Sequence, residues 1–591
     1  MTPVAEAKPA AEGRDDQFLG HPKGVYVCFF TEMWERFSFY GMKALLLLYL
    51  LKYHLFSDDA GYSVIGAYGG LVYCLPVIGG LLADRWLGMR KAVVFGGVLL
   101  VLGHLGMAVE GVQAHKVGDQ IVRDESALWV FYFSLALIIL GVGFLKPNIS
   151  TIVGKLYRDD DPRRDSGFSL FYAGINLGGL LSALVCGYLG ETYGWRWGFG
   201  AAGLGMLVGL LMFLWGQRYL HGHAEPPAPE KLRERIFAGL RREHAIYLGS
   251  LLGLAPVAWL MWATANGAFQ FGELSPALLV MILVMLCVLV WFVWFVITQC
   301  NRVERGQMIA LIVLILMALL FFTLYEQTYG SWVTFNDRLL TSDFFPSLVL
   351  KEKLPVSYYV IALLLMPASF VIAMLMGRRA GPRFGVMLFA LSGFATLLMV
   401  LGMAILQPQN ASSLTFLGSL FVLLLAPIFT GLWGFLDRFG ANPGKPLKSA
   451  IGLVFGGLAF IPLVMAASSI GQTQQLGSVW WLVLAYFVLE VGEMCLSPVG
   501  LSAVTQLSVK RVVSLMMGTW FLATAFSEAL AAEFGKLASL DKFDAGNLTD
   551  MAAAATVYGD LFWLLTKVGL GCGLVALLLV PVLNRLMHGV K

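Results

Sequence analysis

The sequence predicts an all-α polytopic membrane protein, and three observations carry that prediction. Of its 591 residues, 58% are hydrophobic and 13% charged. Apolar stretches of about twenty residues, each able to cross the roughly 30 Å hydrocarbon core of a bilayer as a helix, recur along nearly the whole chain. Lys and Arg gather in the short connections between alternate stretches. The same composition excludes a large water-soluble core, and a net charge of only +4 argues for membrane orientation rather than a nucleic-acid partner.

Taken in order, the apolar stretches predict helices at 24–51, 61–83, 91–112, 127–152, 167–189, 196–217, 245–266, 276–299, 307–330, 356–377, 384–406, 412–436, 449–470, 479–503, 512–535 and 559–585. Residues 1–23 are polar and hold no apolar segment, so a cytoplasmic tail is expected in place of a cleavable signal peptide. With that end inside, the even-numbered connections should be basic. DRWLGMRK (84–91), KLYRDDDPRR (155–164), QCNRVERGQ (299–307), GRRAGPR (377–383), DRFGANPGKPLK (437–448) and VKR (509–511) each hold at least two Lys or Arg. SDDAGYS (57–63), QPQNASS (407–413) and SSIGQTQQLGS (468–478), assigned outside, hold none, while the longer outer loops 113–126, 331–355 and 536–558 hold two or three each. Both termini are therefore expected in the cytoplasm, with 586–591 as the C-terminal tail. The connection 218–244 pairs a Pro-rich run with KLRERIFAGLRREH, a basic amphipathic stretch expected along the inner membrane face. It would join two halves of the chain.

A short echo supports two halves. GGLLADRWLGMRK (79–91) and GFLDRFGANPGK (434–445) place a glycine-led Asp-Arg-aromatic turn after two well-separated helices, and such repeats mark transporters whose substrate site lies between related bundles. The seven cysteines have no metal-ligand or disulfide-framework spacing and read as small hydrophobes.

The first helix is unusual in carrying Glu32, Glu35, Arg36 and Lys43. At about 100° per residue, Glu32, Arg36, Phe39 and Lys43 share one stripe, flanked by Glu35 and Tyr40. Charges at membrane depth face a solvated interior or a partner charge. A bland alternative is that Glu32 and Arg36, four apart, neutralise each other and only hold the bundle together. Compensating groups exist elsewhere: Lys146 in the fourth helix, Glu326 in the ninth, Glu490 and Glu493 in the fourteenth and Glu528 in the fifteenth. A chamber between the halves would be cationic on the first-half wall (Arg36, Lys146) and acidic on the second (Glu493, Glu326). That polarity suits a small zwitterion, with Tyr40 and Tyr73 supplying hydroxyls and rings. Glu490 and Glu528 are equally well read as facing neighbouring basic groups, and His104 as a packing residue.

These residues carry a resemblance. EMWERFSFYG (32–41) resembles the ExxERFxYYG motif of the proton-dependent oligopeptide transporter family, within the major facilitator superfamily. GGLLADRWLG (79–88), GFLKPNIST (143–151), FYAGINLGGL (171–180), GEMCLSPVGLS (492–502) and MMGTWFL (516–522) resemble further segments of that family, in its order. The resemblance implies the major facilitator fold: an N-terminal six-helix bundle at 24–217, a linker at 218–244, an inserted helix pair at 245–299, and a C-terminal bundle at 307–585 interrupted by a second inserted pair at 356–406. It implies a proton-coupled symporter of di- and tripeptides in a bacterial inner membrane, expected to be a monomer without cofactors. Arg36 and Lys146 would hold the peptide carboxylate, and Glu493 and Asn176 its amino terminus. Tyr40, Tyr73 and Trp520 would frame the pocket. Glu32, Glu35, Arg36, Lys146 and Glu326 would serve proton coupling, with Glu35 paired to Lys146 and Lys43 paired to Glu326 at the outer gate. Asp84 and Arg85 would form an inner latch.

The chain departs from the family pattern in three places. Phe39 replaces a tyrosine, Lys43 replaces an arginine and so offers a point charge instead of a planar fork, and Gly418 stands near a position where Asn-Pro is usual. The second insertion has two readings, a lipid-facing or assembly element and a lid over the outer gate. Another solute, such as nitrate, a drug or a modified amino acid, is the nearest alternative cargo. A membrane enzyme is disfavoured because no HExxH, GxSxG or Cys/His cluster is present.

Overall fold

The computed structural model describes residues 17–158, 161–236, 239–272, 274–345, 355–376, 382–540 and 550–590. The tail before Gln17, the basic residues Arg378 and Arg379 of the 377–383 connection and the stretch 541–549 lie outside the described residues.

All sixteen predicted helices form. They are α1 (Lys23–Leu48), α2 (Asp58–Leu87), α3 (Met89–Met107), α4 (Glu125–Lys155), α5 (Ser166–Tyr193), α6 (Trp195–Leu220), α7 (Arg242–Ala265), α8 (Pro276–Gln299), α9 (Arg302–Leu339), α10 (Val356–Met376), α11 (Pro382–Leu406), α12 (Ser413–Arg438), α13 (Lys445–Thr473), α14 (Trp480–Leu507), α15 (Leu515–Lys536) and α16 (Met551–Leu586). Among the described residues, fourteen helices are long and apolar enough to cross a membrane.

Capping explains where boundaries moved. The second helix begins at Asp58 because the Ser57 side chain accepts from the Ala60 amide and two aspartates occupy the first turn. The ninth begins at Arg302 because Asn301 and Glu304 form a reciprocal cap. It also continues past residue 330: a tight turn at Glu326–Tyr329 leads into Ser331–Leu339, so part of the loop expected at 331–355 is helical. The third helix stops at Met107, and a hairpin, His115–Val117 with Gln120–Val122, follows.

The stretch KLRERIFAGLRREH is not one amphipathic helix. Pro229–Arg233 forms a single turn, Arg235 and Arg241 bridge, and α7 begins at Arg242. Arg90 to Glu225 and Lys91 to Glu243 tie this connection to the start of α3. Among the described residues Asp84 and Arg85 make no ion pair, and Arg85 instead lies over the Trp86 ring, so the expected latch is replaced by those two bridges.

Helices α1–α6 pack on one another, as do α9 and α12–α16. The two groups meet where α2 packs on α15 and α5 on α12, a symmetric pair of contacts. The α7–α8 pair leans on α2, α4 and α15, with Met281 wedged among Tyr73, Cys74, Ala525 and Ala529. The α10–α11 pair lies against the first group. Phe370 packs on Phe30 at 4.2 Å between ring centres, and Tyr359 stacks on Tyr188 at 5.5 Å. In its described part the pair flanks α1 and α5.

Candidate substrate cavity

A cavity of about 270 Å³ lies between the two groups of helices. The first group contributes Tyr40 from α1, Tyr73 from α2, Lys146 from α4, and Tyr172 and Asn176 from α5. The second contributes Tyr325, Glu326 and Tyr329 from α9, Glu493 from α14 and Trp520 from α15. Six residues assigned to substrate from sequence therefore face one chamber: Tyr40, Tyr73, Lys146, Asn176, Glu493 and Trp520.

Each presents a usable group. Asn176 spends its amide donor on the Tyr172 carbonyl at 3.1 Å, which leaves its side-chain oxygen to accept from a ligand. Glu493 takes the Ser497 hydroxyl on one oxygen at 3.2 Å, while the other has no partner among the described residues. The Lys146 ammonium sits 4.0 Å from the centre of the Tyr73 ring and, among the described residues, makes no ion pair. A cation and a half-satisfied carboxylate thus occupy opposite walls, and buried polar groups in that condition are matched to something that arrives.

Arg36 is not in the cavity wall. Its guanidinium grips Glu35 through Nε and Nη2, lies 3.4 Å from Glu32, and spreads over the Phe39 and Tyr40 rings at 4.7 and 5.7 Å. The implied pairing of Glu35 with Lys146 is accordingly absent. A planar fork on the neighbouring residue binds a carboxylate in two places, whereas a lysine on another helix offers one point charge, so the arginine takes both acids.

Lys43 bonds Glu326 at 2.6 Å, as its sequence position implied, and also Glu528 at 2.6 Å. Glu528 therefore faces a neighbouring basic group, one of the two readings its sequence position allows, and the glycine-rich run GAYGG (66–70) on α2 makes room for it. A Cβ on Gly69 would meet the Glu528 side chain, so only glycine there lets α15 bring its carboxylate across to α1. The Lys43 knot ties α1, α9 and α15 together beside the cavity. Further from the chain termini the groups are clamped again: Arg338 binds Asp58 at 2.7 and 2.8 Å and the Tyr558 hydroxyl at 3.0 Å, and Lys52 pairs with Asp337. In the other direction Tyr172, one turn nearer the termini end, is 39% exposed. Ion pairs thus join the two groups on the side of the chamber away from the termini.

The remaining acids and bases are less central. His104 is fully buried without a partner, as a packing residue would be, and Glu490 is buried without a cation. No cluster of acidic, His and Cys residues able to hold a metal occurs among the described residues.

Comparison with known proteins agrees with this geometry. A sequence profile described as the POT family matches residues 90–410 and 409–550. The uncharacterized transporter YclF of Bacillus subtilis (strain 168) is 32% identical over 97% of this chain and 96% of its own. The peptide transporter YePEPT of Yersinia enterocolitica subsp. palearctica serotype O:3 (strain YE-P4) is 28% identical over 89% of this chain and 90% of its own. Among solved structures, a crystal structure of a peptide transporter POT in complex with sulfate superposes with a TM-score of 0.71 at 31% identity, covering 97% of each chain.

Proposed function

This chain belongs to the POT family, a family of membrane transporters, and from that premise we propose that it is a proton-coupled symporter that imports di- and tripeptides by alternating access. The observation that carries this reading is the cavity between the helix groups, with Lys146 on one wall and the unpartnered Glu493 oxygen on the other. A short peptide is a zwitterion with ends of complementary charge. Its carboxylate meets Lys146, its ammonium meets Glu493 and the Asn176 oxygen, and Tyr40, Tyr73 and Trp520 hold the backbone and side chains between them.

Coupling follows from the ion pairs. Protonating Glu326 or Glu528 weakens the hold on Lys43 and frees α1 from α9 and α15, which opens the far end. Protonating Glu35 or Glu32 releases Arg36, which stands beside Tyr40 and can then supply a second cation for the peptide carboxylate. Proton and peptide are linked because each competes for the same cations. The setting is a bacterial inner membrane with both termini cytoplasmic, and the monomer is the working unit.

Uptake into vesicles holding the purified protein tests the proposal. Dialanine should accumulate when an inward proton gradient is imposed, and a protonophore should abolish accumulation. Equilibration at a rate indifferent to the gradient would remove the coupling.

A further inference from the structure

Glu490 lies on α14 with no exposed surface, and neither carboxylate oxygen has a hydrogen-bond partner among the described residues. An ionisable side chain so buried and unsatisfied is costly unless something arrives to meet it. Its position says where that would come from. A Cβ built on Gly418 of α12 would lie 3.0 Å from Glu490 Oε1, and 3.6 Å from both the Tyr325 hydroxyl and the Tyr486 ring. Gly418, Tyr325 and Tyr486 all face the cavity. Glycine at position 418 lets the Glu490 carboxylate pack directly behind the cavity wall.

We propose that Glu490 is a second substrate carboxylate, and that the protein thereby selects peptides whose first residue carries a cationic side chain. This rests on the peptide-transport reading above and names the substrate class within it. Glu493, three residues on, has its own unpartnered oxygen in the cavity. Positions three apart on a helix stand about 5–6 Å from each other. The α-ammonium and side-chain ammonium of an N-terminal lysine or ornithine span a comparable distance, so one residue engages both carboxylates. The terminal ammonium meets Glu493, and the side-chain ammonium reaches the Glu490 carboxylate past Gly418, beside the Tyr325 hydroxyl and the Tyr486 ring edge. A neutral first residue fits but leaves Glu490 unpaired, and a site that leaves a buried polar group unpaired discriminates strongly.

The test uses two isomers of equal mass and charge, Lys-Ala and Ala-Lys, with Ala-Ala as reference. Affinity is measured on the purified full-length protein by calorimetry and by competition for uptake. Wild type should bind Lys-Ala about tenfold more tightly than Ala-Lys, the difference one charge-assisted contact supports. Glu490→Gln should bring the ratio of the isomers close to one, and Gly418→Ala, whose methyl would stand 3.0 Å from Glu490 Oε1 and screen it from the cavity, should do the same. Each ratio is taken within one sample, so partial loss of folded protein cancels. Equal affinity for the isomers in wild type, or an unchanged ratio in Glu490→Gln, would overturn the proposal while Ala-Ala binding leaves peptide transport standing. Failure of all three peptides to bind would overturn both.

Discussion

At the residue scale, α1 divides its charges between two tasks. Arg36 is locked by Glu35 and Glu32 on its own helix, while Lys43 reaches across to Glu326 and Glu528 on the other group. The second arrangement is the more consequential for stability, because removing one partner of a buried ion pair strands the other. Lys43→Ala leaves two facing carboxylates and should destabilise the protein by about 3–5 kcal/mol. Adding Glu528→Gln should recover part of that loss, and thermal unfolding of the two single variants and the double variant in detergent checks the coupling. Outside the membrane, His21 shares a 2.7 Å hydrogen bond with the Tyr157 hydroxyl. Burial, then the Arg163 charge, holds its pKa below the usual histidine value, whereas neighbouring Asp161, bound by Arg163, titrates at about 2 and stays ionised throughout. A histidine with a depressed folded pKa contributes stability above its unfolded value and loses it as pH falls through the folded one. Hydrogen exchange in the segment 17–22, corrected for intrinsic rate, should therefore accelerate below about pH 6.5, the unperturbed histidine value. His21→Phe should flatten that dependence.

At the element scale, the helices were legible because each apolar stretch had to satisfy its backbone internally. Sequence placed all sixteen, but not the breaks and caps that aim their side chains. The turn at Glu326–Tyr329, where α9 is interrupted so that Glu326 and Tyr329 meet Lys43, has no marker in the hydropathy. For the cavity, six of the seven residues assigned to substrate, each on a different helix, were legible through the resemblance of the motifs that hold them. The place of Arg36 and the particular partner of Glu528 were not. Which of several nearby acids takes an arginine, and how close two helices approach, depend on packing between segments hundreds of residues apart. The α10–α11 pair shows the same limit: its apolar sequence predicts membrane helices but not a neighbour. With Phe370 seated on Phe30 and Tyr359 on Tyr188, the pair buttresses α1 and α5. Phe370→Ala should lower the melting temperature by several degrees while the peptide KM stays unchanged. A raised KM without loss of stability would place the pair in the transport cycle instead.

At the scale of the whole molecule, charge holds the two helix groups together at the end away from the termini. The Lys43 knot and the Arg338–Asp58 clamp are discrete contacts that either form or break, which gives the bistability alternating access requires. Between them, the chamber sets Lys146 against Glu493. Everything proposed for transport depends on a peptide lying along that axis. The most direct measurement is a structure of the protein with dialanine bound. The account predicts the peptide carboxylate beside Lys146 and the ammonium beside Glu493 and Asn176. A dipeptide bound in the reverse direction, or outside the space between the two helix groups, would contradict it.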